Sequence, residues 1–199
     1  HEASADELER LTPPATANLL RGSDCAYPDG WHFAQLGMRG FTLCQWNKTA
    51  DAPAKGEGGA LCIQNAKDAT CNIALFQPID VVAGHTYQAD AAFRSMDGST
   101  QFWVQAFVVK DEPVDYDDVG LDEANTIGQF NTWQNSALST FDGMMADKAR
   151  AGSSHTGGAM RWKAIQTGRM YFVLKVGSQR TPFRVLLDNI TFTDLSAQD

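Results

Sequence analysis

Tyr171-Phe-Val-Leu-Lys-Val-Gly177, followed after a short turn by Phe183-Arg-Val-Leu-Leu-Asp-Asn-Ile-Thr-Phe192, decides the fold. Side chains alternate faces along a strand, so Phe172, Leu174 and Val176 share one side while Tyr171, Val173 and Lys175 share the other. Both runs read as strands of a sheet with one face against a core. The pair Asp188-Asn189 breaks the second run where a sandwich strand should be apolar. A carboxylate there is costly unless protonated, salt-bridged or metal-bound. The other reading is a hydrogen-bonded Asp188 that clamps a turn.

Working outward, period-2 runs recur over 40–46, 59–64, 71–78, 85–94 and 101–109, separated by Gly, Asp, Asn and Pro. With the last two runs these predict an all-β, antiparallel β-sandwich of jelly-roll type, because no strong amphipathic helix separates the strands. Residues 1–17 combine a charged start with Thr12-Pro-Pro-Ala15 and read as a tail or linker, with the folded module over 18–199. The stretch 111–168 is too long for a structureless connection and reads as a partly structured insert before the last two strands. Within it, 130–141 predicts one or two strands, 144–150 a brief helix, and 151–158 a Gly/Ser loop.

The chain of 199 residues carries 24 acidic and 16 basic side chains, a net charge of −8, which repels phosphate backbones and anionic membranes. Nucleic acid is thereby an unsuitable partner, and no run of about 18 apolar residues suits membrane insertion. A start without Met reads as a processed or trimmed chain. Four cysteines, Cys25, Cys44, Cys62 and Cys71, allow three pairings. A hairpin over 60–77 would set Cys62 opposite Cys71, leaving Cys25 with Cys44; four buried, reduced thiols are the alternative.

Sugar recognition needs an aromatic ring for the apolar face of a pyranose and amides that serve hydroxyls as donor and acceptor. On the run 101–109, Phe102, Val104, Ala106 and Val108 face the core, which turns Trp103, Gln105 and Phe107 outward. On 85–94, Tyr87, Ala89, Ala91 and Phe93 face inward and Arg94 outward. Trp46 ends a strand before the loop 47–53, where an aromatic can wall a cleft. Trp31 reads as a plug of the sandwich end, and Trp133 and Trp162 as either loop anchors or stacking platforms. Trp103 packed beneath the long insert, and Arg94 and Lys175 as solvated charges, are the structural alternatives. The acidic run from Asp111 to Glu123 holds seven carboxylates but lacks the helices and final Glu of an EF-hand, so it reads as a solvated loop. No nucleophile elbow, zinc-protease helix or phosphate-cradling loop occurs in the sequence.

In order along the chain, Asn18-Leu-Leu20, Gly30-Trp31, Gly59-Ala-Leu-Cys-Ile63, Gln77-Pro-Ile-Asp-Val-Val-Ala-Gly-His-Thr-Tyr87, Leu174-Lys-Val-Gly177 and Leu187-Asp-Asn-Ile190 resemble the β-sandwich carbohydrate-binding modules of families four and nine, which are galactose-binding-like sandwiches. The resemblance runs from about Asn18 to Leu195 and is faint through 111–168. It implies a structural calcium held by the Gly22 carbonyl, Asp24, Glu57 and Asp188, although Asp24 stands where those modules have Glu. It implies a binding cleft on the concave sheet, with an Arg on the strand after the Gly-His-Thr-Tyr turn, here Arg94. The strand order of such modules would bring Arg94, Gln105 and Lys175 onto one face. Lys175 replaces an expected Gln, which keeps a donor, removes an acceptor and suits an acidic or differently substituted glycan.

The expectation is a secreted or cell-surface, non-catalytic module that binds a polysaccharide or oligosaccharide through Trp46, Arg94, Trp103, Gln105 and Lys175, fused to or working beside a glycan-degrading enzyme. The alternatives are a jelly-roll lyase or hydrolase whose acids lie in the insert, and an adhesive sandwich that meets protein.

Overall fold

A computed structural model describes residues 18–23, 25, 30–37, 45–56, 58–66, 68–96, 99–120, 126–132, 136–148, 150–151 and 160–196. Twelve strands run through the described residues: β1 (His32–Gln35), β2 (Gln45–Thr49), β3 (Ala60–Asn65), β4 (Cys71–Val81), β5 (Thr86–Ser95), β6 (Phe102–Val109), β7 (Thr126–Asn131), β8 (Asp142–Met144), β9 (Arg150–Ala151), β10 (Arg161–Lys163), β11 (Gly168–Ser178) and β12 (Phe183–Asp194). They form two antiparallel sheets. Sheet A has the order β10-β5-β12-β3-β2, with β8 added to β5, and sheet B has the order β1-β4-β11-β6-β7-β9. The expected β-sandwich is the architecture observed.

The alternation that predicts the strands also builds the core. Tyr87, Ala89, Ala91 and Phe93 of β5, Phe102, Val104, Ala106 and Val108 of β6, and Phe172, Leu174 and Val176 of β11 all enter one buried cluster between the sheets. Tyr87 and Phe192 stack with ring centroids 5.0 Å apart, and Phe172 lies 5.3 Å from Phe192. Trp31 closes one end as expected: it is buried, lies against Phe172, and donates its indole N–H to the Gly22 carbonyl at 3.0 Å. Trp162 is an anchor rather than a platform, buried against Tyr87 and Phe192. Trp133 lies outside the described residues.

The hairpin expected over 60–77 is overturned. β3 pairs with β2 and β12 in sheet A, whereas β4 pairs with β1 and β11 in sheet B, so the chain between them crosses the sandwich. Cys62 therefore lies in a small outer cluster with Ala60 and Leu186, while Cys71 belongs to the inner core. Cys25 and Cys62 are buried and take part in no disulfide, whereas Cys71 is disulfide-bonded, which removes both favoured pairings. Cys44 lies outside the described residues.

The insert is also partly corrected. A strand forms earlier than expected, over β7, while Ser136–Thr140 is a 3-10 turn. The brief helix expected over 144–150 is a single 3-10 turn, Met145–Asp147, whose Ala146 N–H donates to Asp90 Oδ1 at 3.0 Å.

Asp188-Asn189 interrupts the apolar run because β12 changes register there: its pairing with β5 shifts between Asp188 and Thr191. Asn189 takes φ of 47°, a left-handed conformation that Asn tolerates better than branched residues. The N-terminal segment is stitched to this bulge. Asn18 donates to the Ile190 carbonyl at 3.0 Å and accepts the Phe192 N–H at 2.9 Å, and Ile190 N–H reaches the Ser23 carbonyl at 2.9 Å.

Candidate functional site

The outward side chains of sheet B form a polar row beside an apolar one. Lys175 of β11 pairs directly with Gln105 of β6, which in turn pairs with Gln129 of β7. One row further along, Asn72, Gly177 and Trp103 are opposed on β4, β11 and β6. The Trp103 indole lies over Gly177. A Cβ at that position would come within 2.6 Å of the indole ring and would also meet the Cys71 carbonyl, so only glycine admits this seat. Trp103 donates its indole N–H to Asn72 Oδ1 at 3.3 Å and stays half-buried, as do Gln105 and Gln129.

A strap from the acidic run crosses the same face. Asp115 Oδ1 accepts the Gln35 N–H at 2.9 Å, and Tyr116 N–H donates to the Gln35 carbonyl at 2.7 Å, which fixes the strap to the edge strand β1. At its other end Val119 packs on the apolar layer of Ala34, Phe76, Phe107 and Val173. Between these points, Asp118 Oδ1 binds Lys175 Nζ at 2.6 Å and accepts the Asn72 amide at 3.2 Å, while Lys175 also donates to the Val119 carbonyl at 3.1 Å. Lys175 is 6% exposed. A buried ammonium needs such a partner, and here the carboxylate comes from a loop that the sequence presents as solvated.

The five expected glycan contacts do not share one face. Trp103, Gln105 and Lys175 lie together on sheet B, and the Lys175 ammonium is engaged by the strap. Arg94 is on β5 of sheet A, opposite Asp142 of β8, with its guanidinium 3.7 Å from that carboxylate. The shared face expected for Arg94, Gln105 and Lys175 is therefore corrected: alternation turns Arg94 outward, but strand order puts it on the opposite side of the sandwich. Trp46 is also on sheet A, paired with Ile63, a residue of the inner core. Gln129 and Asn72 join the sheet B site without having been singled out from sequence, since only cross-strand register reveals them.

On the outer side of sheet A, Asp188 is fully buried, with Gly56 packed against its carboxylate. A Cβ on Gly56 would come within 2.5 Å of Asp188 Oδ2, while Asp188 Oδ1 accepts the Asn189 N–H at 2.8 Å. A dry carboxylate suits a hard cation. The Gly22 carbonyl fits less well, because it already accepts the Trp31 indole N–H and the Cys25 N–H, each at 3.0 Å. Asp24 and Glu57 lie outside the described residues, among which no cluster of three or more metal-ligating side chains forms. Nearby on the same sheet, burial pushes the Asp90 carboxyl above its ordinary range, against the opposing N–H bonds from Ala146 and Ala91.

No protein-family model matches the chain, and no curated protein matches it. Solved structures do match. The enzymatically active domain of tailspike protein 4 from bacteriophage CBA120 superposes with a TM-score of 0.56 at 10% identity, over 89% of this chain and 21% of that one. The arabinose-bound α-L-arabinofuranosidase MgGH51 gives 0.53 at 11% identity, over 89% and 26%. TmCBM61, solved with β-1,4-galactotriose, gives 0.49 at 10% identity, over 89% and 99%. This chain thus spans about a fifth and a quarter of the first two. At such identities these two likenesses establish the fold, and that fold is the two-sheet β-sandwich expected from the resemblance to carbohydrate-binding modules.

Proposed function

We propose that this sandwich binds a polysaccharide or oligosaccharide chain on the outer face of sheet B without altering it. The observation that carries the reading is the Trp103 indole, seated on Gly177, held at its N–H by Asn72 and left half-exposed beside the amides of Gln105 and Gln129. A fixed indole receives the C–H face of a pyranose with little conformational entropy to lose, and two primary amides match hydroxyls in both hydrogen-bonding senses. Asp118, which joins this platform through Asn72, is tied to Lys175, which favours binding over acid–base chemistry. Lys175 then acts through the strap, by fixing Asp118 and hence Asn72 and Trp103.

The disulfide-bonded Cys71 fits a secreted or surface location, where oxidising conditions preserve such bonds. The matches to longer chains, one an enzymatically active domain and one an α-L-arabinofuranosidase, support an accessory place beside a glycan-active enzyme. Calcium belongs to this reading as a structural ion anchored by Asp188. Affinity electrophoresis through a panel of embedded polysaccharides tests the proposal: Trp103→Ala should abolish retention by whichever polymer slows the parent protein, while its melting midpoint stays within about 3 °C. Unchanged retention would remove the platform, and release of reducing ends or unsaturated products from the panel would establish an enzyme instead.

A further inference from the structure

We propose that a second site, a cleft at the opposite end of sheet B, takes an anionic saccharide, a sugar bearing a uronate carboxylate. The cleft has a volume of about 440 Å³ and is walled by Leu19, Arg21, His32, Pro78, Asp80 and Arg169. Arg169 and Asp80 pair across β11 and β4, eight residues along β11 from Gly177 beneath Trp103. At about 3.3 Å per residue the two sites are some 26 Å apart.

Three features suit this cleft to a carboxylated sugar. The Arg21 main chain is held in place: its backbone N–H donates to Gln77 Oε1 at 2.9 Å and its backbone carbonyl accepts Gln77 Nε2 at 2.7 Å. Gln77 is buried, so both ends of its amide serve to root Arg21 at the cleft. Arg169 meets Asp80 through Nε at 2.8 Å and Nη2 at 3.4 Å, which uses two of its five N–H donors and leaves three for a ligand. His32 stacks on Phe76, with ring centroids 5.5 Å apart.

Charge points the same way. Among the described residues that line it, Arg21 and Arg169 bring two positive side chains and Asp80 one negative, a net positive set in a chain of net charge −8. Arginine forks bind carboxylates in two-point fashion. Leu19 and Pro78 add an apolar wall that a bare inorganic anion would not use and a sugar ring would. The volume lies within the ~300–1,000 Å³ of small-molecule sites. That a saccharide carries the anion rests on the carbohydrate-binding reading; the positive cleft stands independently of it.

Isothermal titration of the whole chain with trigalacturonate, against neutral β-1,4-galactotriose and sodium sulfate, tests the assignment. The parent protein should bind trigalacturonate, and the double variant Arg21→Ala/Arg169→Ala should bind it about tenfold or more weakly with an unchanged melting midpoint. Asp80→Asn, which releases Arg169, should tighten it by about threefold. Absence of binding by the parent protein, equal affinity in the double variant, or sulfate competing at equal charge concentration would overturn the proposal. Trp103→Ala separates the two sites. If that change alone abolishes trigalacturonate binding, the cleft assignment fails and the platform stands; if it spares both trigalacturonate and neutral glycan, the platform fails and the cleft stands.

Discussion

Over sheet A, the loop 53–56 packs against the bulge of β12, where Asp188 is completely buried, whereas over sheet B the strap 115–120 crosses the strands and leaves Trp103, Gln105 and Gln129 half-exposed. Both covers involve a carboxylate, but its origin is reversed. On sheet A the strand supplies the acid and the loop brings backbone; on sheet B the loop supplies Asp118 and the strand supplies the buried Lys175. The outer face of a sandwich therefore becomes a site where its loop is pinned at a few points and stops short of covering it. Lys175 sets that limit on sheet B, with Asn72 joining the pinned loop to the indole.

The comparison breaks most sharply at Asp118. Asp118→Ala leaves the Lys175 ammonium buried without its carboxylate and should cost about 3 kcal/mol in urea denaturation. Lys175→Met should cost less than about 1 kcal/mol, because the Asp118 side chain is 32% exposed and can rehydrate. Equal losses would mean that the ammonium is not the dependent partner. Gly177→Ala tests the seat of the indole: the added methyl meets the Cys71 carbonyl and the Trp103 ring, so stability should fall by about 1–3 kcal/mol and glycan retention should vanish together.

On sheet A the expected effects are smaller. If a cation sits at Asp188, chelation after equilibration with calcium should lower the melting midpoint by about 5 °C, and Asp188→Asn should erase that difference. A midpoint indifferent to chelation would leave Asp188 as a purely hydrogen-bonded clamp of the bulge. The smallest effect is at Asp90, where burial raises the folded-state pKa. The folded protein then holds this proton more tightly than the unfolded chain, so ionisation of Asp90 destabilises above the folded pKa, and the penalty disappears as pH falls below the ordinary carboxylate range. Asp90→Asn keeps an oxygen acceptor for Ala91 and Ala146 and should raise the midpoint at pH 7 by about 1–3 °C, with no gain at pH 3. A gain of the same size at both pH values would exclude charge as its cause.

Much of the site was legible from alternation alone. The inward residues of β5, β6 and β11 fall where period two puts them, and Trp103, Gln105 and Lys175 share the face that their parity assigns. What alternation does not contain is which sheet a strand joins. Arg94 has the expected outward parity and still lies opposite Asp142 on sheet A. The supposed hairpin failed for the same reason: Cys62 and Cys71 are nine positions apart, yet β3 and β4 belong to different sheets. The acidic run looked solvated because its partner, Lys175, is more than fifty positions away and its burial depends on the strap itself.

By itself, the sequence determined the long strands β3 to β6, β11 and β12, their inward and outward faces, the apolar core and the irregularity at Asp188-Asn189, because each follows from the local geometry of an extended chain and the transfer of apolar side chains from water. Tertiary structure alone decided the pairing of sheets, the neighbours of Trp103, the fates of Cys25, Cys62 and Cys71, and the covering of Lys175. Those depend on contacts between distant segments, where strand register and loop closure choose among partners that every local pattern permits.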